Sequence, residues 1–342
     1  WSSDVCSSDL TKGKNMNNFK KIGLTALAGS LALISVAQAE VVLSGSSEAT
    51  YTSSDEASSG NPIGYSNDFN IDASGEFDNG FTYTTHFNFA GQDMGVDSNS
   101  LVIGMGDLGS IGIDQGVELF GISGMTNMGN PSAYEEADHG VSSLDDTLDG
   151  NASGVIGYNG SFAGVSLSLE YQPTTELTSQ QAGSFQGAGA TGSNVNYMVS
   201  ASVPGVDGLT VAYGASKDSN DVAGTIEDEE MSYGARYTFS NVTVGYQVVE
   251  TQSGTVGAAG YNGEMYGIAV NVNENLSLSY NVADMTVDNP SSVDVTEEST
   301  GISAAYSMGS ASVRFSYNEA DNVGGVTGVK DDNTELSLAL AF

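Results

Sequence analysis

Cysteine is almost absent from this sequence of 342 residues. The one present, Cys6, sits in WSSDVCSSDL, a stretch that fits no targeting logic and reads like a translated sequencing adapter ahead of the true start. Residues 1–15 are therefore set aside. The rest of the chain has no disulfide, thiol nucleophile or cysteine metal site open to it. Positive charge is nearly as scarce, with 8 Lys and Arg against 43 Asp and Glu. A phosphate backbone is bound by clustered Lys and Arg, so the sequence predicts no nucleic-acid partner. Histidine occurs twice, at His86 and His139. Neither has a nucleophile or second histidine nearby in sequence, and no G-x-S-x-G elbow occurs, so no enzyme is expected. The Gly-Gly-x-Gly-x-Asp nonapeptides of secreted calcium-binding β-proteins are also missing.

Long apolar runs are limited to Ile22–Val36. This one follows the basic Met16-Asn17-Asn18-Phe19-Lys20-Lys21 and precedes Ala37-Gln38-Ala39. Basic segment, apolar segment and A-x-A site predict a signal peptide over 16–39; the run falls short of the ~20 residues of a spanning helix. Cleavage after Ala39 takes four of the 8 basic and two of the 43 acidic residues, so the net charge deepens from −35 to −37. The expected mature unit, 40–342, is a single domain without an internal linker.

From Glu40 onward helical periodicity gives way to short alternating runs, the signature of strands with one apolar face. Clear ones are Val41 to Tyr51, Phe69 to Phe77 and Phe81 to Phe89. Others start at Val165, Val195, Leu209, Met231, Val242, Leu276, Ala311 and Thr334. Weaker ones lie near 100–105, 109–115, 153–159, 261–270 and 299–307. Short turns such as Asp78-Asn79-Gly80 and Ser240-Asn241 alternate with long loops rich in Gly, Ser, Asn, Asp and Glu, the longest being 116–152. This is the up-and-down plan of a 16-stranded antiparallel transmembrane β-barrel, with both termini on the short-turn side. A soluble sandwich would alternate too. Lipid is favoured by aromatics at strand ends (Tyr51, Phe77, Phe81, Phe89, Tyr171, Phe239, Tyr246, Tyr261 and Phe342), which suit two interfacial girdles.

Strand parity sorts the charged residues. Glu48, Asp68, Asp72, Glu76, Asp114, Glu170 and Glu335 fall on the polar face, as do the two arginines, Arg236 and Arg314. Loop 116–152 carries Glu118, Glu135, Glu136, Asp138, Asp145, Asp146 and Asp149. Hard cations want several carboxylate oxygens, so Asp145, Asp146 and Asp149 admit Ca2+, although the run lacks D-x-D-x-D-G spacing and a downstream bidentate Glu. No cofactor is required. Gly104-Met-Gly-Asp-Leu-Gly109 matches G-x-G-x-x-G, but strand-like residues come next where a dinucleotide site needs a helix.

Several stretches resemble the Gram-negative porins, close to the Rhodobacter-type general diffusion porins. They are the opening EVVLSGSSEATY, the turn Gly106-Asp107-Leu108-Gly109, the segment Asn151 to Tyr158 with Phe162-Ala163-Gly164-Val165-Ser166, and the terminal Phe342. The resemblance implies an outer-membrane homotrimer whose third loop, 116–152, folds into the barrel and narrows the pore. It also implies that Phe342 is read by the outer-membrane assembly machinery, and that lipid and lipopolysaccharide surround the barrel. Acids on the loop would face a cluster of wall arginines, yet this chain has only two. Wall acids outnumber wall bases, so the expected function is passive, cation-preferring diffusion of small hydrophilic solutes and ions. A solute-specific channel and a structural or adhesin barrel are the alternatives; sixteen strands argue against a plugged interior.

Overall fold

The computed structural model describes residues 40–54, 60–90, 95–115, 119–125, 128–137, 153–173, 193–219 and 227–342. Its strands are β1 (Glu40–Ser54), β2 (Ile63–Glu76), β3 (Thr82–Ala90), β4 (Gly95–Gly104), β5 (Ser110–Gln115), β6 (Ser153–Phe162), β7 (Val165–Gln172) and β8 (Asn194–Ser202), followed by β9 (Leu209–Asp218), β10 (Asp228–Phe239), β11 (Val242–Gln252), β12 (Gly260–Asn271), β13 (Leu276–Asp288), β14 (Val295–Met308), β15 (Ala311–Asp321) and β16 (Lys330–Ala341). Each pairs antiparallel with its sequence neighbours, and β1 closes the barrel against β16. Residues 1–39, with the expected leader, lie outside the described residues.

Local chemistry makes the turns. In the β2–β3 turn Gly80 adopts φ +82, a conformation that only glycine takes freely. The Asn79 side chain accepts the Phe81 N–H at 3.1 Å there. The G-x-G-x-x-G stretch is likewise a tight strand-to-strand turn. Gly106 and Gly109 have φ +64 and +88, and a Cβ on Gly109 would lie 2.3 Å from the Asn159 carbonyl oxygen. Strand β5 comes next, not a helix.

One face of the sheet is apolar and bare. On β16 the alternate residues Leu336, Leu338 and Leu340 are 50%, 44% and 44% exposed, while Ser337 and Ala339 between them are buried. Val313 and Phe315 on β15, Leu278 and Tyr280 on β13 and Ile302 on β14 share the exposed face. Moving one such side chain out of water gains about 1.5–3 kcal/mol. A continuous apolar wall of this extent is thus stable in hydrocarbon and not in water. No helix among the described residues is long and apolar enough to cross a membrane; the strands cross instead. Phe342 is 58% exposed, yet its backbone is tied in both directions to Gly45, at 2.8 and 2.9 Å. Its ring lies where a Gly45 side chain would go. One expected girdle residue is misplaced: Tyr261 pairs with Thr251 and Val287 and packs on the buried cluster of the opposite face. Alternation near 261 is too weak to reveal that parity.

The apolar face ends at a row of acids. Glu264, Asp284, Glu298 and Asp321 sit opposite one another in successive pairings of β12 to β15. Like charges directly opposite cost stability. Asp284→Asn, relieved of both neighbours, is expected to stabilise the folded barrel by about 0.5–1 kcal/mol. The urea midpoint of unfolding from lipid vesicles checks this; a lower midpoint would show that the row is compensated.

Candidate functional site

The long connection between β5 and β6 determines what the polar face can do. Its described parts, 119–125 and 128–137, run along the polar face from β6 to β1. Successive strands supply a partner for the segment's backbone. Gly121 N–H donates to Ser168 Oγ on β7 at 2.7 Å, and Ile122 N–H to Asn196 Oδ1 on β8 at 3.0 Å. Gly129 N–H donates to Gln247 Oε1 on β11 at 2.9 Å. Ala133 and Tyr134 N–H donate to Ser279 and Ser303 Oγ on β13 and β14, at 2.9 and 3.0 Å. In the other direction, Arg236 Nε on β10 donates to the Met128 carbonyl at 3.1 Å and Asn281 Nδ2 on β13 to the Pro131 carbonyl at 3.0 Å. Irregular backbone needs such partners wherever water is excluded, and each bond contributes about 1 kcal/mol net.

Glycines in the strands provide the track. A Cβ on Gly214 would meet Ile122 Cγ1 at 2.6 Å, one on Gly245 the Met128 carbonyl oxygen at 2.5 Å, and one on Gly301 Ala137 Cα at 2.7 Å. Glycine inside a strand weakens it but permits close approach of another backbone. Between the track and the segment lies a buried cluster rich in methionine: Ile122, Met125, Met128, Met198, Val249, Met265 and Met285. The unbranched thioether fills such irregular gaps.

The segment reaches β15, β16 and β1 through Tyr134. Its single phenol proton points to Glu335 on β16, with Glu48 on β1 a second acceptor at 3.2 Å. Burial, followed by the Glu335 hydrogen bond, pushes the phenol's pKa far up, so it remains a donor at any physiological pH. Arg314 on β15 lies over the Tyr134 ring, 4.3 Å from its centroid, and forms an ion pair with Glu48. Ser337 accepts from Arg314 Nε and Nη2 at 3.2 and 3.0 Å.

A family model for Gram-negative porins matches residues 23–342. The chain belongs to the Gram-negative porin family. Its fold is similar to that of Salmonella typhi OmpF in complex with daunomycin (14% identity over 89% of this chain and 98% of that one, TM-score 0.66). It is also similar to the trimer form of Vibrio cholerae OmpT (14%, 89% and 100%, TM-score 0.64) and to a mutant of the Rh. blastica porin (16%, 88% and 100%, TM-score 0.57). No curated protein matches the sequence. At these identities the structural likeness is one of fold. Family membership makes the chain an outer-membrane channel for diffusion, in a family of non-enzymatic channels.

In this porin the expected wall residues fall into two sectors. Glu48, Glu170, Glu335, Arg236 and Arg314 lie where the segment passes. Glu170 is buried beneath it, its Oε2 2.4 Å from where a Gly121 Cβ would stand. Thr52 Oγ1 donates to Glu335 at 3.0 Å. Asp68, Asp72 and Glu76 lie on β2, away from the segment's described parts, and no residue of β2 or β3 is buried. Ser46 donates to Asp68 at 3.1 Å, and Asp72 meets His86 Nδ1 at 2.7 Å. Glu135 and Glu136 come directly after Tyr134 and are half-buried. Asp114 pairs through its backbone with Ser100 and Val155, but its side chain lies outside the described residues. So do Glu118, Asp138, His139, Asp145, Asp146 and Asp149.

Strand boundaries hid further acids. β10 begins at Asp228 rather than Met231 and β16 at Lys330 rather than Thr334. Asp228, Glu230 and Asp331 thereby join the polar face. β4 begins at Gly95, not near 100, because pairing with β3 supports a stretch whose own alternation is weak. The wall glycines had a signal, since strand-interior glycine marks close backbone approach, but not the identity of what approaches.

Proposed function

We propose that this porin is a cation-preferring channel for passive diffusion of small hydrophilic solutes. In this reading the polar face lines a water-filled lumen, and the segment 119–137 folds into it as the constriction. The open passage then runs beside β2 and β3. The observation that carries the preference is the division of charge. Asp68 and Asp72 are half-exposed on the uncovered sector, whereas Arg236 and Arg314 are engaged with Met128 and with Glu48. A passing ion meets carboxylates, and acid-lined pores favour cations. Low-dielectric walls focus that field. The trimer form of Vibrio cholerae OmpT supports a homotrimer; lipopolysaccharide around it and export through the 16–39 leader belong to the same proposal.

The test is reversal potential across a KCl gradient, measured on the refolded mature chain in a planar bilayer. A potential of cation-selective sign is expected, weakening as salt rises, because the screening length falls from about 10 Å at 0.1 M to about 3 Å at 1 M. An anion-selective potential would remove the preference. Folded, inserted protein that gives no current steps would remove the open channel.

A further inference from the structure

The Tyr134 cluster lies across the seam where the first and last strands close the barrel. Tyr134 touches four consecutive strands there: Ser303 on β14, Arg314 on β15, Glu335 on β16 and Glu48 on β1. Resting on the channel reading, we propose that Arg314 and Tyr134 form a latch fixing the constriction segment to this seam. In that role Arg314 sets the pore's cross-section by position, not its ion preference by charge.

Three observations carry this. First, the charge of Arg314 is already opposed: Glu48 pairs with it, and the two side chains are only 19% and 27% exposed. A compensated, half-buried cation projects little field into a pore. Second, Glu48 Oε1 accepts from Arg314, Ser337 and Tyr134 together. Removing one member leaves half-buried partners unsatisfied, so the cluster fails as a unit. Third, the guanidinium uses its planar shape. Its central carbon lies over the Tyr134 ring while its nitrogens reach Ser337 and Glu48. A lysine ammonium carries the same charge without the fork or the flat face. Beyond Tyr134, Ala137 packs against Gly301 on β14.

Shape and charge separate in Arg314→Lys and Arg314→Gln. Unitary conductance, open-channel noise and reversal potential are measured for both, with Tyr134→Phe as the mildest variant and heat-modified gel mobility as the check for a folded barrel. The latch predicts that Lys and Gln behave alike. Both should give larger, noisier steps, with noise raised several-fold, and Tyr134→Phe should shift the same way through loss of its donor. If Lys matches the wild type while Gln keeps the wild-type conductance and raises cation preference, Arg314 is an electrostatic residue and the proposal fails. Wild-type conductance and noise in all three variants would also overturn it. Should Arg314→Gln not fold, the Lys and Tyr134→Phe results decide by the same criteria. Failure of the channel reading looks different: the wild type itself would give no steps.

Discussion

Replacing Gly245 by alanine is expected to lift residues 128 and 129 from the barrel wall. The added Cβ would stand 2.5 Å from the Met128 carbonyl oxygen and 2.6 Å from that of Gly129. Both are backbone atoms, so no rotamer change relieves the clash. Gly129 cannot retreat freely, because its N–H is bonded to Gln247 Oε1 on the same strand. Gln247 is wholly buried and also donates to Ser232 at 3.0 Å. Displacement therefore breaks the Gly129 bond and the Arg236 bond to Met128. Overpacking of this kind costs about 1–3 kcal/mol, and each buried polar group left without a partner adds about 1–3 kcal/mol. The expected result is a barrel that still folds, since β11 keeps its pairing with β10 and β12, but conducts through a wider and less steady pore. Unitary conductance and the thermal midpoint measured together check it. Unchanged values in both would show that the segment does not depend on this glycine.

The double substitution Asp68→Asn, Asp72→Asn is expected to move the reversal potential most of the way toward zero. A unit charge about 4 Å from a passing ion contributes about 1 kcal/mol even at the dielectric of water, roughly a fivefold change in local ion population. These two carboxylates lie on the sector that the segment leaves uncovered. Asparagine keeps their shape, and the Ser46 donor of Asp68 retains an acceptor. Little change in conductance or stability should accompany the loss of preference. A potential that stays cation-selective would place the deciding charges elsewhere, with Glu135 and Glu136 next to substitute. The two experiments separate the contributions, because the first alters width and the second alters charge.

Arg314 shows how far the residues can be read without the fold. Parity along 311–319 puts it on the polar face, and it is there. Parity does not say that Glu48, 266 residues away, meets it, nor that Tyr134 lies under its guanidinium. The arginine holds a wall glutamate and lies over a loop tyrosine. Glu170 behaves the same way: its face is legible, but its burial under Gly121 is not. Asp228, Glu230 and Asp331 escape a reading by parity for a narrower reason. Strand ends alternate weakly, and neighbouring strands extend them beyond their own signal.

Alternation along each strand and the lengths of the connections were enough for the barrel. Both are local: a period of two assigns a face residue by residue, and a short turn obliges its flanking strands to pair. The sixteen strands, their order and the bare apolar face are set in that way. The path of the segment between β5 and β6 has no such local cause. Its backbone has no periodic pairing of its own, and its partners lie 40 to 201 residues away. Serine, asparagine and glycine on the polar face look alike in sequence whether they meet water or the segment. Only closure of the barrel brings Gly245, Gln247, Arg314 and Glu48 around that segment, and among the described residues that closure divides the polar face into a sector that the segment covers, where both arginines are engaged, and an acidic one on β2 that it does not touch.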